Sequence, residues 1–442
     1  MSAASVAASG PATDEGVRDL QQTACCIVGA GPGGLMLALL LARRGVPVTL
    51  LEAHHDFDRQ FRGDTLHPAI LEILGQIGLA EKLHQLPHVK WYGPTIFTED
   101  GPFQLFDFRR LHARFPYILT MPQERFLEFL AEEARKYPHL RLVMGANVQR
   151  LVEEGGVVRG VRYRGGDGWH EVQATLTVGA DGRFSRVRHL AGIKPITVSP
   201  PMELLWFRLP HLPGDARQFG TLEEASESHP FMVMKGEGVS AVAFGHVGQD
   251  FIFAAFHRVD HWQVGYIFRP GLYPALRAAG LPAFRKSITD LEPRFTPHLE
   301  HLQDWHQLSP LSVAFSRCRR WYKPGLLLIG DAAHTMTPAA GAGIKYAIED
   351  AVEAANLLAE PLRAGRVRLR DLEAVQRRRE WPTRFIQAAG AWAQKNFWGR
   401  ILRTRGKDLF PRWVRFLLRL PLLRALPGRG VAFGLWRVKV ES

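Results

Sequence analysis

Hydrophobic residues near the start of the chain fall into two unbroken blocks, separated by a turn rich in glycine. Residues 25–28 are wholly apolar and predict a buried strand, and residues 35–42 are apolar helix formers that predict a helix. A second apolar and β-branched stretch, residues 46–51, predicts another strand. The order strand, helix, strand predicts a β-α-β unit at this end of the chain.

Later segments alternate between helical and strand-like periodicity, with glycine and proline at the turns. Helical spacing is found at 68–74, 123–137, 281–291, 343–358 and from 371 onward, with breaks expected at Pro382, Pro411 and Pro421. Strand-like segments are found at 88–120, 140–178, 196–316 and 326–329. The alternating, aromatic stretch 196–316 predicts a mostly antiparallel sheet. The predicted fold class is α/β for the β-α-β part of the chain. With the antiparallel sheet included, the whole chain is predicted to be α+β.

The turn between the first strand and helix carries glycines at the spacing G-x-G-x-x-G, namely Gly29, Gly31 and Gly34, with Pro32 and Gly33 between them. Gly29 makes the turn, Gly31 lets the backbone approach a pyrophosphate, and Gly34 lets the helix pack on the strand. The phosphates of a dinucleotide are expected at the helix N-terminus, where free N–H groups favour anions.

The second strand ends at an acidic residue, Glu52, which follows Gly34 by 52 − 34 = 18 residues. An acid about 20 residues after the glycines is expected to hold the ribose hydroxyls of a dinucleotide. A glycine-rich turn in some other β-α-β unit is the alternative interpretation. The strand, the helix, the offset and the acid together favour dinucleotide binding.

Net charge is unevenly distributed along the 442 residues. The whole chain carries +13, but residues 361–442 hold 20 Lys and Arg against 5 Asp and Glu. A basic, amphipathic stretch at 400–425 predicts either a helix on an anionic membrane surface or a helix that packs on the rest of the protein. No nucleic-acid recognition fold is indicated.

Three cysteines give no disulfide framework, which favours a reducing, cytoplasmic setting. Residues 1–22 are polar and small and are expected to form a loose tail without a signal peptide. The 18 histidines lack the spacing of metal ligands, so no metal site is predicted.

Two further glycine loops follow strand-like segments. Residues 179–183 read GADGR, and residues 330–334 read GDAAH, followed by Pro338, Gly341 and Gly343. With these three motifs in this order, the chain resembles the group A FAD-dependent aromatic hydroxylases of the p-hydroxybenzoate hydroxylase fold. The resemblance covers about residues 23–360.

The resemblance implies roles for the residues of these loops. Asp181 and Gly182 would contact FAD and the reduced pyridine nucleotide. Gly330 and Asp331 would hold the ribityl chain, and Pro338, Gly341, Gly343 and Ile344 would bring a helix N-terminus to the flavin and the pyrophosphate. Weaker matches imply that Arg62 meets the cofactor, that Gln123 lies beside the flavin, and that the backbone of Val148 contacts adenine.

One residue departs from the family pattern. Lys345 stands where the family commonly has Asn, so a cation would lie near the flavin edge or point to solvent, and solvent is the favoured expectation.

The implied activity is an NADPH- or NADH-dependent monooxygenase that hydroxylates an aromatic or lipophilic small molecule through a C4a-hydroperoxyflavin. An aromatic sheet would keep the flavin dry, and the aromatic residues of 196–316 supply such a surface, although ordinary core packing explains most of them. No catalytic base is assigned. An isoprenoid-type flavin reductase, a flavin halogenase and a non-catalytic redox sensor remain alternatives. The family's single dinucleotide fingerprint matches this chain, in which only one is found.

The resemblance also implies a division into domains. Residues 23–87, 121–195 and 311–360 would form a Rossmann-like FAD-binding domain. Residues 88–120 and 196–310 would form a discontinuous antiparallel-sheet substrate domain, and residues 361–442 a basic helical C-terminal region.

Overall fold

The computed structural model describes residues 16–441, except 59–62, 94, 99–100, 105–106, 200–201, 216–238, 241–242, 249, 337–340 and 399–427. The helices are α1 (Pro32–Arg43), α2 (Pro68–Gln76), α3 (Ala80–His84), α4 (Gln123–Arg135), α5 (Arg186–Leu190), α6 (Tyr273–Thr289), α7 (Thr296–Leu299), α8 (Gly343–Arg363) and α9 (Leu369–Ala393).

The strands, in chain order, are β1 (Asp19–Val28), β2 (Val48–Leu51), β3 (Thr65–Leu66), β4 (Val89–Trp91), β5 (Thr95–Thr98), β6 (Gly101–Gln104), β7 (Ile118–Thr120), β8 (Leu140–Val143), β9 (Asn147–Glu154), β10 (Val157–Gly165), β11 (Gly168–Gly179), β12 (Pro195–Thr197), β13 (Met202–Pro210), β14 (Val239–Ser240), β15 (Ala243–Val247), β16 (Phe251–His257), β17 (His261–Phe268), β18 (Ser309–Val313), β19 (Ser316–Cys318), β20 (Tyr322–Lys323), β21 (Leu326–Leu328) and β22 (His334–Thr335).

A central sheet contains the strands that the apolar blocks predict. Its order is β20-β21-β11-β1-β2-β8, and β10 and β9 extend it from β11. β8, β2, β1, β11 and β21 run parallel, so their carboxyl ends lie at one edge of the sheet. One face is covered by α1, whose apolar residues share a core with α4 and α8. Residues 35–42 of α1 are all buried, which explains why apolar residues occupy every side of this part of the helix.

An antiparallel sheet forms the second layer, as the alternation in residues 196–316 predicts. Its order is β18-β13-β17-β16-β15-β5-β6, with β15 and β5 the parallel pair in it. α6 covers one face, where its Leu281, Phe284 and Ile288 pack on alternate residues of the strands. A four-stranded sheet has the order β14-β4-β7-β3; β3, β4 and β7 precede α4 in the chain, and β14 comes from residues 239–240.

Two helix boundaries differ from the sequence predictions. The helix predicted at 281–291 begins earlier, at Tyr273, and bends at Gly280, whose φ of +84° is not helical. The break predicted at Pro382 is wrong, because α9 continues through it. The buried face of α9, including Leu372 and Val375, packs on the core, and this packing outweighs the lost hydrogen bond. Pro411 and Pro421 lie outside the described residues.

The last described segment, residues 428–441, packs against α2 and α8. Phe433 is 2% exposed and packs with Ala69 of α2. The backbone of Val431 contacts His67, and the side chain of Asn356 in α8 donates to the carbonyl of Lys439. The predicted fold class, with an α/β dinucleotide-type domain, an antiparallel sheet and a helical C-terminal region, is confirmed. Within the described ranges, no helix has both the length and the apolar character needed to cross a bilayer.

Candidate functional site

The three glycine loops of the sequence meet at the carboxyl edge of the central sheet. The N–H of Gly29 donates to the carbonyl of Leu51 at 2.7 Å, and the N–H of Ala180 donates to the carbonyl of Val28 at 2.8 Å. The N–H of Ile329 donates to the carbonyl of Gly179 at 3.0 Å. Ends of four parallel strands are thereby joined, and the loops that follow them lie side by side.

The glycines of the first loop divide into those that pack on protein and one that borders open space. Gly29 has a φ of +102°, and a Cβ there would lie 2.6 Å from the carbonyl oxygen of Ala180. A Cβ at Gly34 would lie 1.9 Å from the carbonyl oxygen of Gly29, and one at Gly33 would lie 3.0 Å from that of Ala347. Around Gly31, by contrast, no described atom comes within 4 Å of the Cβ position. Room for a ligand therefore remains at Gly31.

Two helix N-termini are suited to an anion. α1 begins at Pro32 and has no acidic residue in its first turn, and its N-cap Gly31 makes no side-chain cap. α8 begins at Gly343, again without an acidic first turn or a capping side chain at Ala342. Free N–H groups and the positive end of the helix dipole favour negative charge at both ends. These two helix starts and the space at Gly31 fit the pyrophosphate of FAD.

Glu52 is 7% exposed and is fixed against the first loop. Its Oε2 accepts the N–H of Ala30 at 2.9 Å, and its Oε1 accepts the N–H of His54 at 3.0 Å and contacts His54 Nδ1 at 2.8 Å. Glu52 thus holds the glycine turn, and its contact with a ribose stays a prediction.

Asp181, in the second loop, fixes the start of α5. Its Oδ2 accepts the N–H of Val187 at 3.0 Å, and its Oδ1 accepts the hydroxyl of Ser185. Burial raises the pKa of the Asp181 carboxyl despite these hydrogen bonds. The neighbouring Gly182, with a φ of +81°, faces open space, since no described atom lies within 4 Å of its Cβ position.

Arg188 links the second and third loops and was not singled out from the sequence. Its Nη1 donates to the carbonyl of Ala332 at 2.9 Å, and its Nη2 donates to the carbonyl of Arg183 at 2.7 Å. The basic segment after the GADGR motif was the available signal, but it does not reveal which arginine turns inward.

The third loop is held by a buried ionic cluster. Gly330 has a φ of +57°, and its N–H donates to Asp350 Oδ2 at 2.9 Å. Asp350 Oδ2 also contacts His334 Nε2 at 2.6 Å, while Oδ1 accepts Arg379 Nε at 2.7 Å. Burial opposes ionisation of Asp350, but His334 and Arg379 outweigh it and hold the pKa of this carboxyl below its usual range.

The residues predicted to face the flavin converge at the start of α8. A Cβ at Gly343 would lie 4.0 Å from Asp331 Oδ1, and a Cβ at Gly341 would lie 2.5 Å from Thr65 Oγ1. The Cδ1 atom of Ile344 would lie 3.2 Å from a Cβ at Gly63. The third loop thus meets the segment that leads into β3. Arg62 and Pro338 lie outside the described residues.

Gln123 and Val148 lie on different elements, α4 and β9. Gln123 is the first residue of α4 and is half-buried. Val148, in β9, is 3% exposed and packs with Val28 and Leu51 near the ends of β1 and β2. Val148 therefore lies near the start of the first glycine loop, and the contacts of both residues with a flavin stay predictions.

The favoured expectation that Lys345 points to solvent is wrong. Lys345, the third residue of α8, is 2% exposed, and its Nζ lies 4.9 Å from the ring centroid of Tyr346. A Cβ added to Gly434 would lie 3.1 Å from that Nζ, so the C-terminal segment covers the ammonium group. Burial lowers the pKa of Lys345, although the nearby Glu349 carboxylate acts in the opposite direction.

The antiparallel sheet presents a different aromatic face to each side. Phe207, Phe253 and Tyr266 pack in the core beneath α6. Trp206 and Phe256 alternate with these residues and contact each other on the opposite face, with ring centroids 6.1 Å apart. The expectation that core packing explains most of the aromatic residues is consistent with this division.

Two contacts place the Trp206 face toward the cofactor loops. Trp91 of β4 lies 6.4 Å from Phe256, measured between ring centroids. Arg258, which follows β16, donates from Nη2 to Asp64 Oδ1 at 3.0 Å, and Asp64 immediately precedes β3. Because Thr65 of β3 also meets Gly341, the aromatic face and the start of α8 lie on either side of one region.

The chain is similar to known proteins over most of its length. Residues 22–389 match the family described as "FAD binding domain". A relative from Streptomyces rimosus, named 6-methylpretetramide 4-monooxygenase, is 32% identical over 429 residues, which are 96% of this chain and 95% of that protein.

Two solved structures show the same fold. The anhydrotetracycline hydroxylase OxyS of Streptomyces rimosus has a TM-score of 0.69 at 23% identity, covering 93% of this chain and 76% of that one. The PqsL protein of P. aeruginosa, in complex with 2-aminobenzoylacetate, has a TM-score of 0.69 at 20% identity, covering 88% and 99%. The matched family, the near full-length relative and the shared fold agree with the three converging loops. The chain therefore belongs to the FAD-dependent aromatic monooxygenases of the p-hydroxybenzoate hydroxylase fold.

Proposed function

We propose that this enzyme hydroxylates an aromatic small molecule built of several fused rings, using NADPH or NADH and dioxygen. The observation that carries the proposal is the relative whose name gives 6-methylpretetramide as its substrate, because the similarity extends over 96% of this chain. The substrate domain is included in that length, so the likeness is not limited to the cofactor loops.

The three loops would bind FAD in an extended form along the carboxyl edge of the sheet. Gly31 and the start of α1 would take the pyrophosphate, Glu52 the adenosine ribose, and Asp331 the ribityl chain. The start of α8, at Gly343 and Ile344, would face the flavin ring. The chemistry supplied by FAD held there would be hydride uptake from the nicotinamide and transfer of one oxygen atom of dioxygen to the ring of the substrate, with the other oxygen atom leaving as water.

The substrate would lie between the start of α8 and the face that carries Trp206. The Trp206 indole lies over Gly265 of the neighbouring strand, since a Cβ there would be 2.6 Å from Cζ3. A flat indole, with Phe256 and Trp91 beside it, offers a broad surface on which fused rings stack. The same apolar surface excludes water from the reacting atoms.

On this proposal, the three FAD-binding segments (23–87, 121–195 and 311–360) bind the cofactor, and residues 88–120 and 196–310 bind the substrate. The contact between Arg258 and Asp64 joins the two sets across their boundary. Arg258 is 5% exposed, so this ion pair is shielded from solvent and holds the substrate sheet in a fixed position over the loops.

The test begins with the flavin content of the purified protein and the rate of NADPH and NADH oxidation with and without fused-ring phenols. We expect a yellow protein, oxidation stimulated by such a phenol, and a product that gains one oxygen-18 atom from labelled dioxygen. Stopped-flow absorbance of the reduced enzyme mixed with dioxygen tests the predicted hydroperoxyflavin. Halide in the same assay separates hydroxylation from halogenation. A flavoprotein that oxidises no phenol in the series, or that reduces double bonds instead, would contradict the proposal.

A further inference from the structure

The outward side of α9 carries three large aromatic side chains that are exposed. Trp381 is 55% exposed, Phe385 43% and Trp392 67%. At about 100° of rotation per residue, the three positions lie within about 40° of one another around the helix axis. They therefore form a line along one side of the helix.

A tryptophan from a separate segment of the chain lies beside these three residues. The ring centroid of Trp436, a residue 57% exposed, lies 5.8 Å from that of Trp381. On the other side, Phe385 lies 5.6 Å from Trp381. We name Trp381, Phe385, Trp392 and Trp436 the α9 patch. Single exposed apolar residues are ordinary, but a contiguous group of large ones marks a surface that interacts.

Cations surround the aromatic rings. Arg370, Arg377 and Arg384 are exposed and lie within about 60° of Trp381 around the same helix. The acidic residues of α9 all lie more than about 60° from Trp381 around the helix. One of them, Glu380, still lies 3.6 Å from Arg384, measured from Oε1 to Nη1. An apolar and negatively charged partner is complementary to such a surface.

The opposite side of α9 is occupied by the protein itself. Leu372, Val375 and Pro382 are buried there, and Arg379 makes its ion pair with Asp350. The helix is consequently held in place with the α9 patch facing outward. A second copy of the chain fits poorly, because a two-fold contact through this face would bring like charges together.

We propose that the α9 patch rests on an anionic lipid surface. Tryptophan prefers the boundary between water and hydrocarbon, where its indole is half apolar and its N–H stays hydrogen-bonded. The arginines beside it would pair with lipid phosphates, each adding to the binding. The helix lies in the plane of the surface, as amphipathic interfacial helices do.

The test is co-sedimentation of the FAD-loaded, full-length enzyme with vesicles of phosphatidylglycerol and phosphatidylcholine, and with vesicles of phosphatidylcholine alone. We expect sedimentation with the anionic vesicles that weakens as salt rises. The double variant W381S/W392S should lose at least tenfold in vesicle affinity, and R377Q/R384Q should lose most of the salt dependence. The matched control is L369S, which changes an exposed apolar residue on another side of α9.

Flavin absorbance and urea unfolding identify any variant that fails to fold. Absence of sedimentation by the unchanged enzyme would overturn the proposal, as would equal sedimentation of W381S/W392S, which would place the contact elsewhere in the chain. Light scattering that shows a dimer lost in W381S/W392S, without vesicle binding, would assign the patch to a second copy instead.

Discussion

At the scale of single residues, Gly29 and Gly31 stand two positions apart in opposite surroundings. Gly29 has a positive φ and touches the second loop, whereas Gly31 has a φ of −74° and borders open space. We expect Gly29→Ala to lower the free energy of unfolding of the apoprotein by about 2 kcal/mol or more, because backbone strain and overpacking add. We expect Gly31→Ser to leave that free energy within about 0.5 kcal/mol, since serine suits an N-cap.

The same pair separates folding from cofactor binding. Gly31→Ser should weaken FAD affinity at least about tenfold, or about 1.4 kcal/mol, because its side chain enters the space proposed for the pyrophosphate. Urea unfolding of the apoprotein and fluorescence titration with FAD measure the two quantities. Unchanged FAD affinity in Gly31→Ser would show that the pyrophosphate binds elsewhere.

Lys345 predicts a dependence of stability on pH. Its pKa is lower in the folded chain than in the unfolded chain, so the unfolded chain binds more protons between the two values. The contribution of Lys345 to stability therefore becomes more favourable as the pH rises toward 10.5. Compared with Lys345→Met, the unchanged protein should gain relative stability between pH 7 and pH 10 in urea unfolding. Lys439→Met, at an exposed lysine, is the matched control variant.

The loop motifs of the site were predictable from the sequence, whereas the burial of its charged residues was not. The three glycine motifs and Glu52 follow from local rules of turn geometry and spacing, and the structure brings them to one edge of the sheet. The burial of Lys345 depends on residues near 434, and the partner of Asp350 on α8 is Arg379 on α9. No spacing rule connects residues that meet only after two helices pack.

At the scale of elements, neighbouring side chains of β13 lie on opposite faces of the antiparallel sheet. Trp206 lies on the face toward the cofactor loops, and Phe207 is fully buried beneath α6. We expect Trp206→Ala to raise the KM for a fused-ring substrate at least about tenfold, with little change in the oxidation of NADPH without substrate. Phe207→Ala should instead lower the free energy of unfolding by about 3–5 kcal/mol through a cavity.

Steady-state kinetics and urea unfolding on both variants give the comparison. If Trp206→Ala keeps its KM while Phe207→Ala shifts it, the substrate lies on the other side of the sheet. The alternation of apolar and polar residues predicted this sheet from the sequence. The same alternation does not indicate which face of the sheet lies toward the proposed cofactor site. That assignment required the contacts of Trp91 and Arg258, which come from elements distant along the chain.

At the scale of the whole molecule, residues 428–441 connect the C-terminal region to the cofactor half. Phe433 packs with α2, and Asn356 of α8 holds the backbone of the segment by two hydrogen bonds. We expect Phe433→Ala to reduce the free energy of unfolding by about 3 kcal/mol or more, because a large buried ring is removed. The same change should expose Lys345 to an amine-reactive reagent.

Mass spectrometry of labelled peptides checks this outcome, with Lys439→Gln as the control, because that side chain in the same segment is exposed. Labelling of Lys345 that stays at the level of the unchanged enzyme would mean that the segment does not shield it. The sequence predicted either a packed or a membrane-bound C-terminal helix at 400–425, and that segment lies outside the described residues.

The cover that Gly434 places over Lys345 has a consequence for biosynthesis. α8 leaves the ribosome well before residue 434 does, so for that interval the ammonium group of Lys345 is in water and the helix lacks part of its packing. The burial of this side of α8 is therefore completed only after the last residues of the chain have been made.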